Sequence, residues 1–111
     1  MINVYLISAE NNGKKLYKIG YTRRSIEDRI KDFKTGNISD FEIVDSFSSK
    51  WGTKIERSLH KFFKNKRISG EWFDLVPEDI LVFQEKCLLI HRNLEFINET
   101  NTYYIDRGNR F

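Results

Sequence analysis

The sequence predicts a small α+β domain, a mixed β-sheet flanked by helices in the order ββαβαβα, and three observations carry that prediction. Two strand-like runs, "INVYLIS" and "KLYKIGYT", stand on either side of "NNGKK", which is turn chemistry. Three later segments repeat apolar residues at helical spacing. Between and after them, "FEIVDSF" and "GEWFDLV" read as further strands.

Each element has a local reason. The first two runs, rich in β-branched residues and tyrosine, make a hairpin. Ser25 can cap a following helix whose third helical position is Asp28, a variant of the capping box. That helix is expected to run to about Thr35, where Gly36 and Asn37 supply a left-handed stop. "FEIVDSF" alternates as a third strand. "GTKIERSLHKFFKNK" puts Ile55, Leu59, Phe62 and Phe63 on one face of a second helix. "GEWFDLV" is a short fourth strand, and Pro77 then suits the first position of a third amphipathic helix, "PEDILVFQEKCLLIHRN". The expected division is one domain over 1–93 and a C-terminal extension over 94–111, either an added strand or a partly ordered tail.

A chain of 111 residues, 40% hydrophobic and 14% aromatic, can bury a single core. Its apolar runs fall short of a membrane span, and the start lacks a signal-peptide layout, so the expected location is soluble and cytoplasmic. The single Cys87 excludes an internal disulfide and a thiolate-rich zinc site, and suits a small core residue.

The net charge of +3 is unremarkable, but its placement is uneven. Lys14 to Lys34 holds eight basic residues against three acids, and Lys50 to Arg67 seven against one; from Ile68 to Asp106 the balance reverses to eight acids and two bases. Such a basic half can lie on a polyanion, releasing condensed counterions. Equally, it can be a solvated face. The candidate phosphate contacts in it are Arg23, Arg24, Lys54, Lys61 and Lys64.

Residues that break their pattern are the candidates for chemistry. Arg29 shares the apolar face of the first helix with Ile26, Ile30 and Phe33, so its guanidinium must either snorkel to water or point at an anion. Glu56 and His60 lie one turn apart on the border of the second helix's apolar stripe. Glu56 is the sole acid of its basic segment. It is either an ion-pair partner or, facing a cleft, a ligand for a divalent cation that also touches phosphate.

The order of "VYLI", "YKIGYT", "IEDRI", "IERSLHKFF" and "GEWFDL" resembles the GIY-YIG nuclease superfamily, most closely the small branch common in bacteriophages and large DNA viruses. The resemblance covers about residues 2 to 76 and implies a GIY-YIG-like fold. It matches Tyr5 to the tyrosine ending the first motif, Gly20 to the glycine ending the second, Arg29 to the helix arginine and Glu56 to the metal-binding glutamate. Lys18 stands where the second motif has tyrosine, a replacement usual in this branch. Tyr17 and Tyr21 flank it, but strand alternation points them to the opposite face.

The resemblance implies a metal-dependent DNA endonuclease acting on duplex or branched DNA inside the cell, the host cell if the chain is viral. Glu56 would hold one Mg²⁺ or Mn²⁺, and Arg29 would bind the charge built on the phosphoryl oxygens. Tyr5 would orient water, or take its proton if the metal and nearby cations lower its pKa. Lys18 would supply that lowering or contact phosphate, and His60 is a second candidate base or a structural partner of Glu56. Gly20 has a backbone role. Glu71 anchors a loop or stands near the metal, while Trp72, Phe73 and Trp51 read as packing before base stacking, and His91 has no catalytic task. Tyr103, Tyr104, Arg107 and Arg110 suggest a nucleic-acid-binding tail. Two other readings stay open: a non-cleaving nucleic-acid-binding module of the same fold, and a protein-interaction domain with a basic face. High target specificity would need a homo-oligomer or a protein partner, since no separate recognition domain is present.

Overall fold

Strand β1 (Ile2–Asn11) and strand β2 (Lys14–Thr22) pair antiparallel along their full length, joined by Asn12 and Gly13. Both turn residues have positive φ, 55° and 79°, the conformation that matches a two-residue hairpin turn to the strands' twist. The structure, a computed structural model, describes residues 1–33 and 41–108, the last eight as backbone. The order continues as α1 (Ile26–Lys31), β3 (Glu42–Ser49), α2 (Gly52–Phe62), a 3-10 turn at Lys64–Lys66, β4 (Arg67–Ser69), β5 (Trp72–Phe73), α3 (Pro77–Leu81) and α4 (Phe83–Gly108). The α+β class is as expected.

The five strands lie in the order β3-β1-β2-β5-β4. Every described pairing is antiparallel, where a mixed sheet was expected. The reason is topological. The connection through α1 makes β2 and β3 parallel in direction, but it carries β3 to the far edge of β1, so the two never pair. Strand β1 therefore sits between neighbours and is buried from Val4 to Ala9.

Period-2 alternation along β1 divides the interior into two layers. Val4 and Leu6 join Ile19, Ile55, Leu59, Phe63, Phe73, Phe83 and Cys87 in the larger core, under α2 and α4. Each large apolar side chain fully buried there stabilises the fold by about 1.5–3 kcal/mol before entropy is counted. Tyr5 and Ile7 face the other layer, with Ile26 of α1 and the partly buried Ile30, Phe33 and Phe41. Of the candidate residues, Tyr5, Lys18 and Arg29 lie on this smaller side, while Glu56 and His60 are carried by α2.

Several local expectations are met and several are corrected. The Ser25 hydroxyl accepts the Asp28 N–H at 3.1 Å, as the capping motif predicts. Helix α1 ends at Lys31, not near Thr35; Asp32 and Phe33 close it with tighter turns onto the Arg29 and Ile30 carbonyls. Thr35, Gly36 and Asn37 lie outside the described residues. In α2 the stripe is Ile55, Leu59 and Phe63, spaced by four, while Phe62 stays 53% exposed with the Lys86 ammonium 4.2 Å from its ring. The "GEWF" strand gains a partner the sequence did not announce, because Gly70, at φ 54°, turns the chain back and lets β4 pair with β5. The expected third helix is two, α3 and α4, separated at Val82. From Leu94 to Gly108 the chain continues as α4, where an added strand or a partly ordered tail was expected. The side chains of Tyr103, Tyr104, Arg107 and Arg110 lie outside the described residues. Cys87 is buried and its thiol is pushed up to about 12, first by burial and then by Asp45, which leaves it a core residue.

Candidate active site

Strand register brings the site together. Tyr5 lies opposite Gly20 and Ile7 opposite Lys18, so Tyr5, Lys18 and Gly20 share the face under α1. Tyr17 packs against the larger core instead, as alternation predicts. Lys18 pairs with Trp72, where β5 begins. One residue earlier, the Glu71 carbonyl accepts the Ile19 N–H at 3.1 Å, which fixes the Glu71 side chain beside Gly20.

Gly20 is required by this convergence. A Cβ there would stand 2.5 Å from Tyr5 Cζ and 2.7 Å from Glu71 Oε1, and closer still to the Tyr5 hydroxyl. The space that glycine leaves is filled by two polar groups, one from β1 and one from the turn before β5. Both the Tyr5 hydroxyl and Glu71 Oε1 are buried without a hydrogen-bond partner among the described residues. An unsatisfied buried polar atom costs about 1–3 kcal/mol, and two at one point mark a place built for something other than stability.

Helix α2 reaches the same place from the other layer. Beyond Lys18, strand β5 no longer pairs with β2, and the Ile19 carbonyl is taken by His60 Nε2 at 2.8 Å. A carbonyl only accepts, so this contact puts the proton on Nε2. The same nitrogen lies 3.6 Å from Glu56 Oε1. His60 also meets the Phe73 ring edge-on at 4.9 Å. The ring is thus held between the sheet and Glu56, and Nε2 has no free lone pair with which to act as a base.

Glu56 is not a surface carboxylate: its side chain is 13% exposed. Burial pushes its carboxyl above the usual range, His60 opposes this, and the nearby charge of Glu71 adds to it. Tyr5, fully buried, is pushed up to about 12 by burial and then by Glu71, while Arg29 pulls it down and Glu56 adds a further upward push. The group that eases ionisation of Tyr5 is therefore Arg29, not Lys18. Tyr5, Glu56 and Glu71 influence one another electrically, so they form one cluster.

The cations sit around Phe33. Lys18 Nζ is 4.6 Å from its ring centre and 5.3 Å from that of Trp72, and lies 3.7 Å from Glu71 Oε1. The Arg29 guanidinium is 4.6 Å from the same Phe33 ring and 3.2 Å from Asp32 Oδ2. A hydrogen bond from Arg24, with help from Arg29, keeps the Asp32 carboxyl below its ordinary range. Tyr5 completes the arrangement, its ring 6.1 Å from Phe33. Phe33 was read from sequence only as part of the apolar face of α1. Its place four residues after Arg29 was the available signal for a role in holding that cation.

The basic candidates separate into two kinds. Arg24 is committed to Asp32, and Arg23 lies over Tyr21 at 5.9 Å. Lys54 sits 5.5 Å from the Trp51 ring. Lys61 and Lys64 are exposed, and no ion pair among the described residues engages them. Helical spacing puts Lys54, Arg57 and Lys61 on the side of α2 opposite Ile55 and Leu59. Trp72 is half-buried on the site's side and Phe73 wholly in the core. His91 is structural, its Nδ1 2.8 Å from the Ser49 hydroxyl and its ring edge-on to Phe47.

Among the described residues there is no group of three or more His, Cys, Asp or Glu placed to hold a metal ion. The oxygen set that is present, the Glu56 carboxylate and Glu71 Oε1, the latter without a hydrogen bond among the described residues, fits a hard cation that completes its shell with water and substrate phosphate. No helix among them is long and apolar enough to cross a membrane.

The arrangement is a small α+β sheet domain with a buried tyrosine and two nearby carboxylates, flanked by cations on aromatic rings and a basic helix face. A family model for the T5orf172 domain matches residues 2–88, and the chain belongs to that family, whose domain is of a nuclease type. No curated protein and no solved structure gave a significant match.

Proposed function

We propose that the protein is an endonuclease of GIY-YIG type that hydrolyses phosphodiester bonds in DNA with one divalent cation. The observation that carries this reading is the meeting at Gly20 of two buried polar atoms, Tyr5 Oη with Arg29 nearby and Glu71 Oε1 with Lys18 at 3.7 Å, that lack close hydrogen bonds of their own. Membership of a nuclease-type family and the basic face of α2 support it.

Glu56, with Glu71 beside it, would hold Mg²⁺ or Mn²⁺, which would supply charge neutralisation at a phosphate oxygen and at the departing alkoxide. The chain's own groups do the rest. His60 holds Glu56 in place, its proton fixed by the Ile19 carbonyl. Arg29 moves its fork from Asp32 to the phosphoryl oxygens, where charge builds in the transition state. Lys18, held by Glu71 and two rings, presents a second positive charge to the phosphate. Tyr5 stays neutral at pH 7, since its hydroxyl is pushed up to about 12, so it orients the attacking water by hydrogen bonding. Through Nε2, His60 acts as a positioning residue.

The complete burial of Tyr5 favours one second reading, a module of the same fold that binds nucleic acid without cutting it. A nicking assay on supercoiled plasmid separates the two. With Mg²⁺ or Mn²⁺ the parent should nick, and chelator or Glu56→Ala should stop it. Salt-sensitive DNA binding without metal-dependent nicking would establish the second reading in its place.

A further inference from the structure

We propose that α4 carries a self-association surface, through which two copies of the chain form a two-fold dimer with their α4 helices crossing antiparallel at Leu88 and Leu89. Helix α4 gives one side to the larger core, through Phe83, Cys87, Ile90 and Leu94. Its other side is open. Leu88 is 39% exposed, Leu89 51%, Phe96 69%, and Leu81 at the end of α3 is 80% exposed. Glu85, Lys86, Leu88, Leu89 and Arg92 line a shallow groove of about 440 Å³ on it.

The side chains along this face are matched about a midpoint. At 100° per residue, Glu85 and Arg92 project within about 10° of a line drawn between Leu88 and Leu89, those leucines flank it by about 50°, and Phe96 lies about 30° to one side. A two-fold axis through that midpoint brings each position onto the one equally distant on the other copy. Leu88 then meets Leu89, Glu85 meets Arg92, and Leu81 comes toward Phe96. Glu85 and Arg92 are exposed, and no ion pair among the described residues engages either one. The antiparallel arrangement pairs both of them twice over, while a parallel one would set Glu85 on Glu85 and Arg92 on Arg92. Burial of the leucines and phenylalanines supplies the attraction, and the rim charges set orientation and register. Such a face is self-complementary, as an interface between identical copies must be. It lies on the layer of the sheet away from Tyr5 and Gly20.

Sedimentation equilibrium on the full chain tests this independently of any cleavage activity. The apparent mass should rise with concentration from 13.3 kDa toward twice that value. Glu85→Arg and Arg92→Glu should each hold the mass near the monomer at the same concentrations, with unchanged far-ultraviolet circular dichroism because both positions are exposed in the single chain. The double variant Glu85→Arg/Arg92→Glu should associate as the parent does, and the two single variants should associate when mixed. A parent that stays monomeric into the hundreds of micromolar would assign the face to a different protein and overturn the proposal. A dimer unaffected by either single variant, or a double variant as monomeric as the singles, would overturn it as well.

Discussion

Replacing Tyr5 by phenylalanine should make the protein more stable and less active at once. The side chain is fully buried, and its hydroxyl has no hydrogen-bond partner among the described residues. Phenylalanine keeps the ring and its packing on Phe33 and removes only the uncompensated group. Such a group costs about 1–3 kcal/mol, and the attraction of the Arg29 guanidinium for the hydroxyl argues for the lower end, a gain of about 1 kcal/mol. In a domain near this size that gain raises the thermal midpoint by about 4–8 °C. Alkali should widen the difference. The hydroxyl's folded value, about 12, exceeds its ordinary 10.0, so between those values the unfolded chain ionises while the folded chain does not, and the parent loses stability as pH rises. The loss approaches roughly 3 kcal/mol by the upper end, at about 1.4 kcal/mol for each pH unit, and the phenylalanine variant escapes it. Thermal unfolding followed by circular dichroism at neutral and alkaline pH reads both effects, and single-turnover cleavage reads the loss of activity. A variant no more stable than the parent at pH 7 would mean that the hydroxyl is satisfied, and the argument that it is held ready for a ligand would collapse.

Four other outcomes are expected. Glu56→Gln should abolish cleavage and raise the thermal midpoint at pH 7; burial holds the folded carboxyl above its ordinary 4.5, so the penalty exists only once the group is ionised, and the gain should vanish in acid. A gain equally large well below pH 4.5 would refute the electrostatic origin. Gly20→Ala should lower stability by about 1–3 kcal/mol, since the new Cβ meets Tyr5 and Glu71, and a denaturation midpoint equal to the parent's would show that the two side chains move apart freely. Arg29→Lys should keep the thermal midpoint and much of the DNA affinity yet lose a few kcal/mol, about 10²–10³-fold, in single-turnover rate, because an ammonium lacks the planar fork; parental rates would reduce Arg29 to a packing residue on Phe33. DNA affinity should fall steeply with added salt, and Lys61→Glu or Lys64→Glu should weaken all sequences about equally; an affinity indifferent to salt would point to a protein partner.

What the sequence by itself determined are the features whose causes act within one or two turns of chain. Asn12 and Gly13 accept positive φ at little cost, so the first hairpin and the register opposing Tyr5 to Gly20 follow locally. Ser25 caps α1 through its own third residue, and Ile55 and Leu59 define a helix face by spacing alone. Arg29 and Glu56 stood out because each broke such a pattern, and Lys18 because it stands where the resembled motif has tyrosine. Only the tertiary structure decided what lies across the sheet. It carried β3 past β1, which made the sheet antiparallel, and ended α1 early. It gave Phe62 to solvent, and it set Glu71 and His60 against Tyr5 and Glu56 through backbone contacts at Ile19 made from 52 and 41 residues away. Glu71 read as a loop anchor or as a group near the metal, because nothing near it in the chain reveals that its oxygen is buried without a hydrogen bond among the described residues. Desolvation is a property of everything packed around a group, most of it distant in sequence, and the raised pKa values of Tyr5 and Glu56 appear only when those layers close.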